Sequence, residues 1–192
     1  MKTYPEFIQN LFTGKEVHIV ASGPSLHNHD LSYLKDKTVI AINHAYKTVA
    51  CKYVVFNDAN FLREDNNEIL KTDKVVFCGV QSKISGNNIY SYRPSNRFSL
   101  FSHNGVYSSR SSGLSALTIA LQGNADKIYL HGYDYKFING KHHSTGDKYN
   151  HTVNQLRFEK VYSDIVELFN VFPREKIVNM SAISAIKAFE VF

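Results

Sequence analysis

The stretch Val17-His18-Ile19-Val20-Ala21-Ser22-Gly23-Pro24-Ser25-Leu26 limits most sharply what this chain can fold into. A short, mostly apolar and β-branched run passes straight into Ser-Gly-Pro-Ser. That pattern reads as a buried strand ending in a tight turn. Gly23 allows close approach to the backbone, Pro24 stops the strand, and Ser25 offers a hydroxyl that can cap the next segment. The stretch is compatible with a plain strand exit. It is equally compatible with the loop after the first strand of an open α/β sheet, where ligands collect.

The rest of the chain favours the sheet. Thr38–Ile42, Lys52–Phe56 and Lys74–Cys78 are also short, β-branched and apolar on both faces, as in parallel strands covered by helices. Lys127–Leu130 and Lys176–Asn179 repeat the pattern. Between them, residues 1–14 space Phe7, Ile8, Leu11 and Phe12 as on a helix that Gly14 closes. Ser112-Gly113 opens a second helical run that Gly123 closes. Residues 153–169 carry the stripe Leu156, Val161, Ile165, Leu168, Phe169, and Ile183–Phe189 reads as a last short helix. Residues 79–110 hold no sustained period, although Ile89–Tyr92 suits a short strand. The expectation is a Rossmann-like α/β fold: a mostly parallel sheet, helices on both faces, and a short lid loop at about 135–152. Residues 1–192 are expected to make one nucleotide-binding domain.

Bulk properties narrow the partners. The 192 residues are 43% hydrophobic and 20% charged, ordinary globular values. The formal charge of +5 is spread along the chain rather than clustered, which suits a phosphorylated ligand and argues against nucleic acid. No apolar run approaches the roughly 20 residues of a membrane span. Cys51 and Cys78 lie in apolar runs and read as reduced core residues, consistent with a cytoplasmic protein. A homo-oligomer is compatible with all of this.

Polar residues stand at the ends of four of these strands: Ser22-Gly23, Asn43, Asn57-Asp58 and Gly132-Tyr133-Asp134. In a parallel sheet these ends share one edge and converge on one crevice. Each alone is an ordinary turn former; together they suit a base and a ribose better than a metal. The Ser112 helix start adds backbone N–H groups and a positive dipole end, a natural phosphate site.

At these positions the sequence resembles known families. Ser22-Gly23-Pro24-Ser25-Leu26, Ile42-Asn43-His44-Ala45-Tyr46, Cys51–Leu62, and Ser111-Ser112-Gly113 with the later Lys127–Tyr135 resemble, in order, motifs of the bacterial family 42 sialyltransferases. The Gly-Pro-Ser-Leu opening, Asp58 and the late Gly-x-Asp also resemble the hydroxymethylpterin diphosphokinase-like family. The first resemblance implies that Gly23, Asn43, Asn57 and Ser112 contact a cytidine nucleotide, with Gly132 and Asp134 nearby; Ser22, Ser25, Asp58 and Gly113, beside them in the chain, join them as candidate nucleotide-binding residues. It also implies a general base from a lid histidine, for which His143 is the match. An imidazole near its own pKa suits that task. The family's phosphate-binding tyrosine matches Lys136, whose charge could neutralise a leaving phosphate, and Ser22 replaces the family's Asn.

The implied reaction moves a sugar from a CMP-sugar type of donor to a hydroxyl acceptor and needs no fixed cofactor. Three alternatives stay open at this level. Asp58 as a Mg2+ ligand on a triphosphate would fit an ATP-dependent diphosphokinase. The fold without turnover would be a nucleotide- or ligand-binding module. His142, His143 and His151 could also ligate a metal or simply belong to an exposed loop, and their spacing matches no closed zinc site.

Overall fold

The computed structural model describes residues 4–79, 84, 86–109, 111–139, 141 and 155–192. Among these residues, eight strands form one sheet, and every pairing in it is parallel. In chain order they are β1 (Glu16–Val20), β2 (Thr38–Ile42), β3 (Tyr53–Phe56), β4 (Val75–Cys78), β5 (Ile89–Ser91), then, after two short strands, β8 (Lys127–His131), β9 (Ile177–Asn179) and β10 (Glu190–Val191). Their order across the sheet is β10-β9-β8-β1-β2-β3-β4-β5. The order reverses beside β1, because β2 continues to one side of it and β8 returns on the other. That point is the topological switch of an open α/β sheet, where a crevice opens at the strands' C-terminal ends.

The period-2 alternation of the strands builds both faces. Val17, Ile19, Ile40, Ile42, Val55, Phe77, Ile128 and Leu130 point to one side. There they pack against α1 (Tyr4–Ile8), α3 (Ser112–Gln122) and Phe169, just beyond α4 (Gln155–Glu167). On the other side, Val54, Phe56, Val76 and Cys78 meet Phe61 and Leu62 of α2 (Ala59–Glu64). Val20, Val39 and Ala41 meet Leu34 and Ala45 from short 3-10 segments and Val49, which follows the second of them. Fully burying a Val, Leu, Ile or Phe side chain contributes about 1.5–3 kcal/mol, so two covered faces are what make strands this short stable. The Rossmann-like fold class is therefore what the sequence pattern anticipates.

Two details differ. Ile183–Phe189 is not a helix: a turn leads instead to edge strand β10. Seven residues nucleate poorly alone, and here tertiary partners take the local polar groups. Ser184 Oγ donates to the Tyr133 carbonyl at 2.6 Å, and the Ala185 N–H donates to the Asp134 carbonyl at 2.8 Å. In the middle segment, β6 (Pro94–Ser95) and β7 (Val106–Tyr107) pair as a second, two-stranded parallel sheet. Of the expected lid, only residues 135–139 and 141 are described; His142, His143 and His151 lie outside the described residues.

Candidate functional site

A cleft of about 640 Å3 opens along the C-terminal edge of β1, β2, β3 and β8. Ser22, Gly23, Asn43, Asn57, Asp58, Ser112, Gly113, Gly132 and Asp134 all line it. Nine positions from five separate segments meet there because parallel strands deliver their C-terminal ends to one edge.

The first loop is held by close backbone packing. The Gly23 N–H donates to the Gly132 carbonyl at 3.0 Å. A Cβ on Gly23 would come within 2.5 Å of Asp134 Oδ2. Gly132 adopts φ +67°, a left-handed conformation open to glycine at little cost. Asp134 is only 1% exposed. Its Oδ2 accepts the Ser25 N–H at 2.7 Å and its Oδ1 accepts the Ser181 hydroxyl at 2.6 Å. Both carboxylate oxygens are thus engaged by the protein, and Asp134 ties the first loop to the C-terminal turn. Ser25 itself does not line the cleft; its buried Oγ has no partner among the described residues.

Asn57 is also held from within. Its side-chain amide donates to Ser108 Oγ at 2.8 Å and Ser115 Oγ at 2.9 Å, and its Oδ1 accepts the hydroxyl of Tyr92. Its backbone N–H donates to Ser112 Oγ at 3.2 Å. Both amide protons are spent, so Asn57 aligns the start of α3 with the end of β3. Asn43 is different: only a long 3.5 Å contact from Ser112 Oγ reaches its Oδ1, and its side-chain N–H groups have no partner among the described residues. It sits at φ +49°, which Asn tolerates better than most residues.

The start of α3 forms the cleft floor. Ser111 caps it, its Oγ accepting the Leu114 N–H at 3.4 Å. The backbone N–H groups of Ser112 and Gly113 have no partner among the described residues and mark the positive end of an 11-residue helix. Tyr135 stands over them. Its hydroxyl lies 2.8 Å from Ser111 Oγ, and a Cβ on Gly113 would strike it. Burial raises the Tyr135 pKa far above the ordinary phenol range, so the hydroxyl stays protonated and can donate.

Three non-glycine residues lining the cleft, Asn43, Ser109 and Tyr135, have positive φ. Among the described residues, six of the eight non-glycine residues with positive φ are Asn; the other two, Ser109 at +38° and Tyr135 at +47°, both line the cleft. Such outliers cost on the order of 1–3 kcal/mol each and persist where the surroundings over-determine them, most often at sites.

Lys136 does not line the cleft. It is exposed and borders a neighbouring bowl on the far side of Tyr135. Among the described residues lining the cleft, none is basic. Asp58 caps α2 by accepting the Asn60 N–H at 2.7 Å; its other oxygen has no partner among the described residues. No group of three or more His, Cys, Asp or Glu among the described residues is arranged to hold a metal. Mg2+ carried by a phosphate would find, among the described residues, one carboxylate here with an oxygen not already engaged, Asp58, since Asp134 is bonded through both of its oxygens; one carboxylate is within that ion's usual protein share.

Sequence reasoning missed several lining residues. Ser108, Ser109 and Ser111 stand in a Ser-rich run before α3 whose hydroxyls were a readable signal. Pro94 and Asn96 come from the middle segment. Val161, Tyr162 and Ile165 come from α4; of the apolar stripe expected there, Val161 and Ile165 reach the cleft, while Phe169 is buried in the core and Ile165 and Leu168 pack against it. Val161 remains 43% exposed. No helix among the described residues is long and apolar enough to cross a membrane.

Comparison with known proteins gives a likeness at the level of the fold. No family model matches the chain, and no curated protein matches it. Among solved structures, the MAf glycosyltransferase from Magnetospirillum magneticum AMB-1 shares 13% identity at a TM-score of 0.62, over 94% of this chain and 34% of that one. This chain therefore spans about a third of that neighbour's length, and what the two share is a Rossmann-like α/β fold.

Proposed function

We propose that the chain is a glycosyltransferase-like enzyme that moves a sugar from a nucleoside-monophosphate donor of the CMP-sugar type to a hydroxyl acceptor. The carrying observation is the charge character of the cleft. Its anion site is the α3 start, with the Ser112 and Gly113 N–H groups and the Tyr135 hydroxyl, and no basic side chain lines it among the described residues. A phosphodiester with a single negative charge matches dipoles and neutral donors. A triphosphate with about four charges calls for lysine, arginine or metal.

In this reading, Gly23 and Gly132 form a close wall for the nucleoside and the Asn43 amide bonds its base or ribose. Asn57 and Asp134 hold these parts in place. The acceptor oxygen attacks the anomeric carbon, the bond from that carbon to the phosphate oxygen breaks, and the nucleotide leaves with the electron pair. Donors at the α3 start stabilise the charge on the leaving phosphate. His143 is the proposed base for the acceptor proton. The phosphate role expected of Lys136 passes to Tyr135. The name of the structural neighbour, a glycosyltransferase, supports the same class of reaction.

Asp58 favours a second reading, an ATP- and Mg2+-dependent diphosphokinase. A thermal-shift titration with CMP, CDP, UDP and ATP, each with and without Mg2+, separates the two. Stabilisation by CMP that is indifferent to Mg2+ is expected. ATP stabilisation that needs Mg2+ and is lost in Asp58→Ala favours the second reading. Failure of every nucleotide to stabilise the protein sinks both.

A further inference from the structure

Beside the cleft lies a second concavity, a bowl of about 580 Å3 lined by Tyr135, Lys136, Phe137, Glu159, Tyr162, Ser163, Val166, Glu167 and Ala185. The two concavities share one partition. Tyr135 and Tyr162 line both, and their rings meet edge to face at a centroid distance of 5.7 Å. The cleft side of that partition carries the Tyr135 hydroxyl against the α3 start. The bowl side carries different chemistry: Phe137 lies beside Tyr162 at 6.2 Å, and the rim is formed by two carboxylates, an ammonium and a hydroxyl.

We infer that this bowl is the acceptor subsite and that it takes a neutral sugar ring. A pyranose has C–H faces that pack on aromatic rings and hydroxyls around its edge that both donate and accept. Phe137 and Tyr162 offer the ring surface. Glu167 on one side can accept from hydroxyls, Ser163 can do either, and Lys136 can donate. Among the described residues that line the bowl, two are carboxylates, Glu159 and Glu167, and one is a lysine, a balance that favours a neutral ring over an anionic one. A peptide acceptor would need an open strand edge or a long apolar groove, and the bowl is neither. A sugar seated here extends one hydroxyl past the Tyr162 edge into the cleft, where the donor's anomeric carbon lies. This explains why Lys136 borders the bowl rather than a phosphate. The inference rests on the glycosyl-transfer reading for the meaning of "acceptor", but the binding it asserts is separately measurable.

Ser163 is exposed on α4 and lines the bowl but not the cleft, so Ser163→Trp fills one without entering the other. Saturation-transfer difference NMR on the full chain, with methyl glycosides of galactose, glucose and N-acetylglucosamine, reads the bowl. Calorimetric titration with CMP reads the cleft. Ring-proton signals from at least one glycoside are expected in the wild type. They should fall at least about fivefold in Ser163→Trp and about twofold in Glu167→Gln, while CMP affinity stays within about twofold. Glycoside signals that survive both substitutions overturn the inference. So does CMP binding with no glycoside signal, which leaves the nucleotide reading standing. Glycoside signals with no CMP binding keep the bowl and remove the nucleotide reading. Signals from a short serine peptide, abolished by Ser163→Trp where no glycoside gives any, assign the bowl to a peptide and overturn the sugar.

Discussion

Gly23 and Asp134 are in such close contact that a single added carbon on the glycine would come within 2.5 Å of the carboxylate Oδ2. The same oxygen accepts the Ser25 N–H two residues further on. The wall of the cleft is therefore set by a buried carboxylate and the absence of a side chain opposite it. Gly23→Ala must push the first loop away from β8. It should destabilise the protein by about 2 kcal/mol and weaken CMP binding about tenfold or more. Denaturant melts and calorimetry check both numbers; an unchanged melt would show that the contact is loose.

Asp134 serves as a strut in this account, so its charge matters less than its two accepting oxygens. Asp134→Ala leaves the Ser25 N–H and the Ser181 hydroxyl without their partner and should cost about 2–4 kcal/mol. Asp134→Asn keeps one accepting oxygen, and the Ser181 hydroxyl can rotate to accept from the new amide. It should cost less than half as much. If Asn proves as damaging as Ala in urea melts, the negative charge itself is required.

The assignment of phosphate to Tyr135 rather than Lys136 gives a paired test. Tyr135→Phe removes one donor beside Ser111 and keeps the ring. CMP affinity should fall about three- to tenfold while stability changes by under about 1 kcal/mol. Lys136→Ala, made on the bowl side, should leave CMP affinity within about twofold. The reverse ranking would return the phosphate role to the lysine.

Asn57 gathers Ser108, Ser115 and Tyr92 around one amide. Asn57→Ala should lower stability by about 2–3 kcal/mol, because three hydroxyl partners lose their shared group. Thermal melts without ligand read this directly. A loss of nucleotide binding at unchanged stability would instead make Asn57 a direct contact.

Acid should loosen the sheet near β1 and β8. His18 Nδ1 and His131 Nε2 lie 3.1 Å apart in the interior. Burial first, then neighbouring His18 and His29, push the His131 pKa from its ordinary 6.5 down to about 4. The folded protein therefore binds fewer protons than the unfolded chain between those values. Stability should fall as pH drops from about 6.5 to about 4 and level off below, by on the order of 3 kcal/mol from this group. His131→Gln should flatten that part of the pH–stability curve.

Much of the candidate site was legible because its residues sit at strand ends. Asn43, Asn57, Asp58 and Gly132 each come after an apolar run, and a parallel sheet carries such positions to one edge whatever the details of packing. The bonds within that edge were not legible. Ser25 and Asp134 are 109 residues apart, and Asn57 and Ser115 are 58 apart. Nothing local in either segment says that Asp134 serves the loop or that Asn57 has no amide proton left for a ligand.

What the sequence alone determines is the alternation of apolar side chains in short strands, the turn residues after them, and the Ser-capped start of α3. These arise from the two-residue period of a strand and the unpaired N–H groups of a helix end, which need only neighbours in the chain. Only the tertiary structure decides that Tyr135 faces the cleft and Lys136 the bowl. That choice depends on a left-handed turn at Tyr135, φ +47°. The turn is held by Ser111, whose hydroxyl lies 2.8 Å away and 24 residues earlier, and by the rings of Tyr162 and Phe169. A tyrosine does not choose that backbone conformation on its own; distant contacts impose it, and they exist only once the sheet has brought those segments together.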